Sequence, residues 1–231
     1  DNGEKSIRIL IGGIDGGGHW DHTFASAVPY ATSDLSLAIT SGDLNGDGII
    51  DLVATEYIAQ TVAVFLGNGS GGHGDGTFQP PVHITAGPEP YDLATGDLNG
   101  DGRLDLVVDE SGNGGVRVLL GAGTGLFSSN TGYLAGLNCS GVSVVDLNGD
   151  GILDIAAGAS LANSLSLLQG LGDGSFAPPV TLADCCFPVH INSADLDQNG
   201  RPDLVGCDFQ SSAVAVFLDG CTADLRPPHI A

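Results

Sequence analysis

The chain has 231 residues, 42% of them hydrophobic, with 37 glycines and 11 prolines, a composition that suits a compact protein of many short strands and tight turns. Six Lys and Arg against 28 Asp and Glu give a formal charge of −22, which excludes nucleic acid phosphates and anionic membrane surfaces as natural partners and points to cations. No stretch reaches the roughly 18 unbroken apolar residues of a membrane span, and Asp1-Asn2-Gly3-Glu4-Lys5 does not resemble a signal peptide, so an exported form is expected to have lost its signal already.

From the N-terminus, Ile7-Arg-Ile-Leu-Ile-Gly12 alternates with period two and is predicted to be a strand, with Phe24-Ala-Ser-Ala-Val-Pro29 a second one. Between them Gly16-Gly17-Gly18 runs into His19-Trp20-Asp21-His22. Two histidines beside an aspartate offer transition-metal ligands. The preferred reading is an inserted loop whose tryptophan, the single one in the chain, contacts sugar or protein. Next comes Asp43-Leu-Asn-Gly-Asp-Gly48, followed by predicted strands at 51–54, 62–66 and 78–82, with Gly67-Asn-Gly-Ser-Gly71 as a hairpin turn.

This series then recurs. Asp97-Leu-Asn-Gly-Asp-Gly102, Asp146-Leu-Asn-Gly-Asp-Gly151 and Asp195-Leu-Asp-Gln-Asn-Gly200 begin 54, 49 and 49 residues after the preceding copy, a period of about 50 residues. Each unit reads as strands A to D. Strand A precedes the acidic loop (91–95, 142–145), and B follows it at once (51–54, 105–108, 154–157, 203–205). Strand C alternates (62–66, 116–120, 165–168, 214–218), and D is short and blunted by prolines (78–82, 176–180). Proline suits an outer edge strand, where a missing N–H costs no ladder bond.

A four-stranded unit of this length matches a propeller blade. The predicted fold is all-β, a β-propeller of about four to five four-stranded blades with the acidic loops between strands A and B. It forms one domain over 1–231: a half blade at about 1–35 and repeats at about 36–88, 89–137, 138–186 and 187–231. The half blade arises because 7–12 copies strand C and 24–29 copies strand D. The last unit has its own C, and Leu225-Arg-Pro-Pro228 can serve as its D, so closing the ring through the N-terminus would duplicate a strand. Three arrangements stay open: a small propeller with a two-stranded extra blade, a fragment of a larger propeller, or a half blade that pairs with a neighbouring subunit.

In the first loop Asp43, Asn45, Asp47 and Asp51 stand at positions 1, 3, 5 and 9, with the Ile49 carbonyl expected at position 7. Calcium takes six to eight hard oxygens, and alternate side chains on a tight loop converge on one point. The equivalent sets are Asp97, Asn99, Asp101, Arg103 and Asp105; Asp146, Asn148, Asp150, Ile152 and Asp154; and Asp195, Asp197, Asn199, Arg201 and Asp203, with the position-7 residue contributing its carbonyl. Three carboxylates this close repel one another unless a cation sits between them. The loops use 12 of the 28 acidic residues, and four calcium ions would bring the formal charge from −22 to −14. An EF-hand would need Glu at position 12 and flanking helices; here Ala54, Val108, Ala157 and Gly206 stand there. The fourth loop, with Asn199 at position 5 and Arg201-Pro202 after it, departs most and is expected to bind least tightly.

These loops and strands resemble the FG-GAP or VCBS repeat of integrin α-chain propellers, fungal propeller lectins and many bacterial surface proteins, over nearly the whole chain from Ile7 to about Leu218. The Phe-x-Pro-Pro segments at Phe78 and Phe176 are a loose counterpart of that family's Phe-Gly and Gly-Ala-Pro elements. The resemblance implies a propeller and about four Ca²⁺ on the loop residues named above.

Five cysteines, Cys139, Cys185, Cys186, Cys207 and Cys221, lack the Cys-x-x-Cys spacing of a zinc site. Disulfides are expected, with Cys186 and Cys207 able to meet across a hairpin and at least one thiol left over. No Gly-x-Ser-x-Gly, His-Glu-x-x-His or P-loop motif occurs, so the chain is read as a non-enzyme. The expected function is a secreted, calcium-binding structural or adhesive module that assembles with other subunits, itself included, through the half blade. The alternative is a calcium-dependent carbohydrate-binding propeller lectin with glycan partners.

Overall fold

The computed structural model describes residues 5–15, 17, 19–128, 130–183, 188–208 and 212–218. The chain opens with β1 (Ser6–Ile9), β2 (Gly12–Ile14), β3 (Trp20–Phe24) and β4 (Val28–Ala31). Strand β1 pairs with β4, and β2 with β3, so a small hairpin is inserted between the two strands of the half blade. The first full sheet contains β5 (Ile39–Gly42), β6 (Asp51–Glu56) and β7 (Thr61–Phe65), then an inserted hairpin of β8 (Gly67–Ser70) and β9 (His73–Phe78), then β10 (Val82–Thr85). The second sheet is β11 (Leu93–Gly96), β12 (Asp105–Glu110), β13 (Gly115–Leu119) and β14 (Thr131–Leu134). The third is β15 (Cys139–Val145), β16 (Asp154–Ala159), β17 (Ser164–Leu168) and β18 (Val180–Ala183). The fourth shows β19 (Pro188–Ala194), β20 (Asp203–Asp208) and β21 (Ala213–Phe217). Within each full sheet every strand pairs antiparallel with its neighbour in sequence, apart from the inserted hairpin of the first.

Strands B and C supply the packing between sheets because their side chains alternate to two faces. Val62 and Val64 pack forward on Leu93, Leu106, Val108 and Leu119 of the second sheet. Val116 and Val118 do the same against Cys139, Ile155 and Leu168 of the third, and Leu165 against Ile191, Leu204 and Phe217 of the fourth. Backwards from the first sheet, Ala54, Ala63 and Phe65 meet Ile7 and Tyr30 of the half blade. Tyr30 lies edge-on to Phe65 and Phe78, and its hydroxyl accepts a hydrogen bond from the Phe78 N–H at 3.1 Å. The core is thus a series of slabs, each shared by two consecutive sheets.

Prolines begin the outer strands later than the sequence pattern suggests. Phe78 ends β9 and Phe176 makes an isolated bridge to Gly170, while the D strands begin at Val82 and Val180. The same shift places Phe24 in β3 and the half blade's outer strand at Val28–Ala31. A proline has no N–H for the ladder and restricts the residue before it, so pairing starts once the Pro-Pro step has passed. Gly67–Ser70, expected as a turn, is itself a strand, and the turn lies at Gly71 and Gly72.

Of the five cysteines, Cys185, Cys186 and Cys221 lie outside the described residues, and the expected pairing of Cys186 with Cys207 falls there too. Among the described residues Cys139 is a buried free thiol and Cys207 an exposed one. Burial, reinforced by the negative charges of Asp109 and Glu110, pushes the Cys139 thiol up to about 12, so it is a core residue rather than a reactive one.

Candidate metal centres

Each acidic loop joins strand A to strand B at the same end of its sheet: between β5 and β6, β11 and β12, β15 and β16, and β19 and β20. The first turn is shaped by its own aspartate. Asp43 accepts the Gly46 N–H at 2.7 Å and the Asp47 N–H at 3.2 Å on Oδ1, and the Gly48 N–H at 2.8 Å on Oδ2. Asn45 Oδ1 takes the Asp47 N–H and Asp47 Oδ1 the Ile49 N–H. Asp97 and Asp146 repeat this with Gly102 and Gly151, and Asp195 with Gly200. Side-chain oxygens therefore point into the concave side of the turn with further lone pairs to offer.

Two turn positions demand a left-handed backbone. Position 6 is glycine in all four loops, with φ between 80° and 86°. Position 4 is Gly46, Gly100 and Gly149 in the first three, but Gln198 in the fourth, at φ 61°, where a side chain is strained.

Position 9 does something the sequence pattern did not reveal. Asp51 is fully buried; its Oδ2 accepts the Leu44 N–H at 2.9 Å, and its Oδ1 the Gly67 N–H at 2.8 Å. Asp105 holds Leu98 and Gly121 in the same way at 2.9 and 2.6 Å, and Asp154 holds Leu147 and Gly170 at 3.0 and 2.9 Å. In the fourth loop Asp203 Oδ2 takes the Leu196 N–H at 2.8 Å. One carboxylate thus ties the start of the loop, the start of strand B and the residue after strand C into a knot. Glycine is required after strand C, because a Cβ there would run into the carbonyl oxygen of Ile50, Leu104 or Leu153. The only sequence signal was a glycine closing each C strand, which reads as an ordinary turn. Burial raises the pKa of Asp51, Asp105 and Asp154; the two N–H groups oppose this, and the loop carboxylates at positions 1 and 5 add to it. A cation in the loop would relieve that repulsion.

The loops differ in how they gather acids. In the fourth, carboxylate oxygens of Asp195, Asp197 and Asp203 lie within 4.8 Å of one another. Two oxygens that share one calcium at about 2.3–2.6 Å stand no more than about 5 Å apart, so this trio fits the ion. Among the described residues it is the group of three acids that meets this spacing. In the first three loops the acids stand at 1, 5 and 9, with Asn45, Asn99 or Asn148 filling position 3. The Arg103 guanidinium lies 3.7 Å from Asp101 Oδ2, an internal cation that competes for that oxygen.

The FG-GAP-like repeat matches residues 43–108, 110–157 and 146–206, more than half of the chain. The chain belongs to the FG-GAP-like repeat family. Among solved structures, this FG-GAP-like chain is similar to an Agrocybe aegerita lectin that specifically recognises non-reducing terminal N-acetylglucosamine, with a TM-score of 0.58 and 20% identity over 88% of this chain and 55% of that one. BBS1N, in its complex with ARL6DN, is similar with a TM-score of 0.54 and 10% identity over 81% of this chain and 58% of that one. The chain therefore spans little more than half the length of either protein. No curated protein sequence matches it. The likeness establishes an all-β, β-propeller-like fold.

The other sequence-level candidate lies on β3. Trp20 stacks near His22 with ring centroids 4.5 Å apart and near Phe24 at 6.0 Å, and all three are exposed. Asp15 Oδ1 is 3.7 Å from His19 Nδ1 and also accepts the Gly17 and His19 N–H groups, while Asp21 Oδ1 accepts the Thr23 N–H and hydroxyl. The two acids thus serve their own turns, and the aromatic row stands apart from them.

Proposed function

We propose that the chain is a calcium-binding structural or adhesive module that works outside the cell and has no catalytic role. The convergence of Asp195, Asp197 and Asp203 within 4.8 Å carries the calcium part of this reading. Position 1, 3, 5 and 9 side chains and the position-7 carbonyl would hold one ion in each loop, with Arg103 making the second loop weaker. The fourth loop, although it departs from the consensus, supports the reading best, because its third acid at Asp197 replaces the asparagine of the other three. Bound calcium would neutralise carboxylates packed on one end of the sheets and hold each A strand to its B strand, making the surface rigid enough to serve as an attachment face. Membership of the FG-GAP-like family and the −22 charge support this.

Calcium titration followed by calorimetry, on the wild type and on Asp197→Ala, tests it. The expected result is heat of binding and a melting temperature that climbs with calcium, since a ligand of the folded state stabilises it by mass action, with one site lost in the variant. A melting curve indifferent to chelator and to calcium would overturn the reading.

A second reading, a calcium-dependent carbohydrate-binding lectin, is supported by the similarity to the Agrocybe aegerita lectin and by the exposed row of Trp20, His22 and Phe24, since aromatic faces stack on sugar rings. A glycan array with and without chelator separates the two. Repeated calcium-dependent hits that Trp20→Ala abolishes would favour the lectin.

A further inference from the structure

We propose that the chain associates head to tail with a second copy of itself, the forward face of the fourth sheet on one copy seating against the backward face of the half blade on the next. This rests on the structural-module reading and names its partner.

Equivalent residues of the C strands carry the argument. The second residue of that strand is 0% exposed as Val62, 0% as Val116 and 1% as Leu165, each covered by the following sheet, yet its counterpart Val214 is 64% exposed. Two residues on, Val64 and Val118 are each 1% exposed, whereas Val216 is 37% exposed. Phe217, between them, packs backwards on the third sheet, so Val214 and Val216 alternate to the forward side. The other end of the row shows the reverse. Phe65, Leu119 and Leu168, which receive the forward face of the preceding unit, are 0%, 1% and 0% exposed. Leu10 occupies the same place in the half blade and is 52% exposed. Its neighbour Ile7 packs forward on the first sheet, which turns Leu10 to the backward side.

One chain thus carries both halves of a joint that it makes three times internally, and carries them at opposite ends. A single bare valine on a surface means little, but a bare position that is sealed in every equivalent unit marks a missing neighbour. The surface that seals it elsewhere is the backward face of another unit, and the half blade offers one. The two patches differ, so the contact is heterologous, and repetition gives a closed ring or a filament according to the rotation at each joint. Calcium in the loops would lessen repulsion between copies of charge −22.

The test is mass in solution against concentration, measured by sedimentation in calcium at moderate salt. Wild type is expected to rise from the 23.2 kDa chain to multiples of it. Val214→Asp with Val216→Asp leaves a working backward face, and Leu10→Asp leaves a working forward face. Both sites are exposed, so the variants are expected to fold, with unchanged circular dichroism and calcium-dependent melting. Each should stay monomeric alone, while a mixture should form a dimer and nothing larger. Wild type that stays monomeric at the highest soluble concentration would overturn the proposal and leave the calcium reading to its own melting assay. Assembly that survives all three substitutions would overturn it too, by placing the contact elsewhere.

Discussion

Replacing Asp105 by Ala separates the architectural use of the acidic loops from their use of metal. Asp105 is fully buried, and so are the two groups it serves, Leu98 and Gly121. Its oxygens accept their N–H groups at 2.9 and 2.6 Å. Each buried donor left without a partner costs about 1–3 kcal/mol, so the substitution should remove about 2–6 kcal/mol. At about 2–4 °C per kcal/mol for a chain of this size, the melting temperature should fall by about 4–24 °C. The comparison is Asp101→Ala, whose side chain sits in an exposed part of the same loop and accepts the Arg103 N–H at 3.0 Å; a surface change of this kind is worth within about 0.5 kcal/mol without metal. Denaturant melts of both variants, in calcium and in chelator, read the difference. Asp105→Ala should be destabilised in both conditions, and Asp101→Ala in calcium alone. If Asp105→Ala matched the wild type in chelator, the knot would not be holding the loop and the argument would be wrong.

Three further outcomes follow from buried groups elsewhere. Asp109 has one carboxylate oxygen accepting the Tyr91 and Asp92 N–H groups, while the other is buried without a partner, and burial holds its pKa well above the usual carboxylate range. A raised pKa means the folded state keeps a proton that the unfolded state has released. Its contribution is therefore lost as pH climbs through that pKa, by up to about 1.4 kcal/mol per pH unit, and Asp109→Asn should flatten this decline in pH-dependent denaturant midpoints. Glu56 shows the opposite sign: burial would raise it, but hydrogen bonds from Thr61, Ser33 and His83 outweigh burial and hold it below the usual range. Its stabilising effect is present at neutral pH and lost as pH falls through the lowered value, so Glu56→Gln should be less stable at neutral pH and less sensitive to acid. Gly141→Ala would place a methyl 2.6 Å from the His190 backbone nitrogen, and a core forced apart in this way typically loses about 1–3 kcal/mol by urea titration.

Periodicity made the architecture legible. The Asp-x-Asn-x-Asp-Gly copies located all four A-to-B loops, and alternation located strand C to within a residue, 62–66 against the observed Thr61–Phe65. Outer strands were placed too early because Phe78 and Phe176 look like strand residues, whereas the Pro-Pro step behind them decides where the ladder begins. At the loops, the residue types were plain and their division of labour was not. Asp51, Asp105 and Asp154 read as equal members of a ligand set, but their partners at Gly67, Gly121 and Gly170 lie 16 residues away in sequence, and no local pattern announces such a bond. Asp109 was silent for a similar reason: Thr55 Oγ1 receives the equivalent pair of N–H groups in the first sheet, so the position asks for any acceptor and tolerates more than one side chain.

Because every full sheet is built from consecutive strands and sealed by the one after it, synthesis and burial run out of step. As the polypeptide emerges from the ribosome, a freshly completed sheet has its forward valines bare until the next unit of about 50 residues is made, which takes about 3–10 s at about 5–20 residues per second. During that interval the nascent chain shows a greasy β surface to its surroundings, and the acid-rich loops on the rim are the nearest counterweight to clumping. Holdase capture would be expected to recur once per repeat, in step with translation.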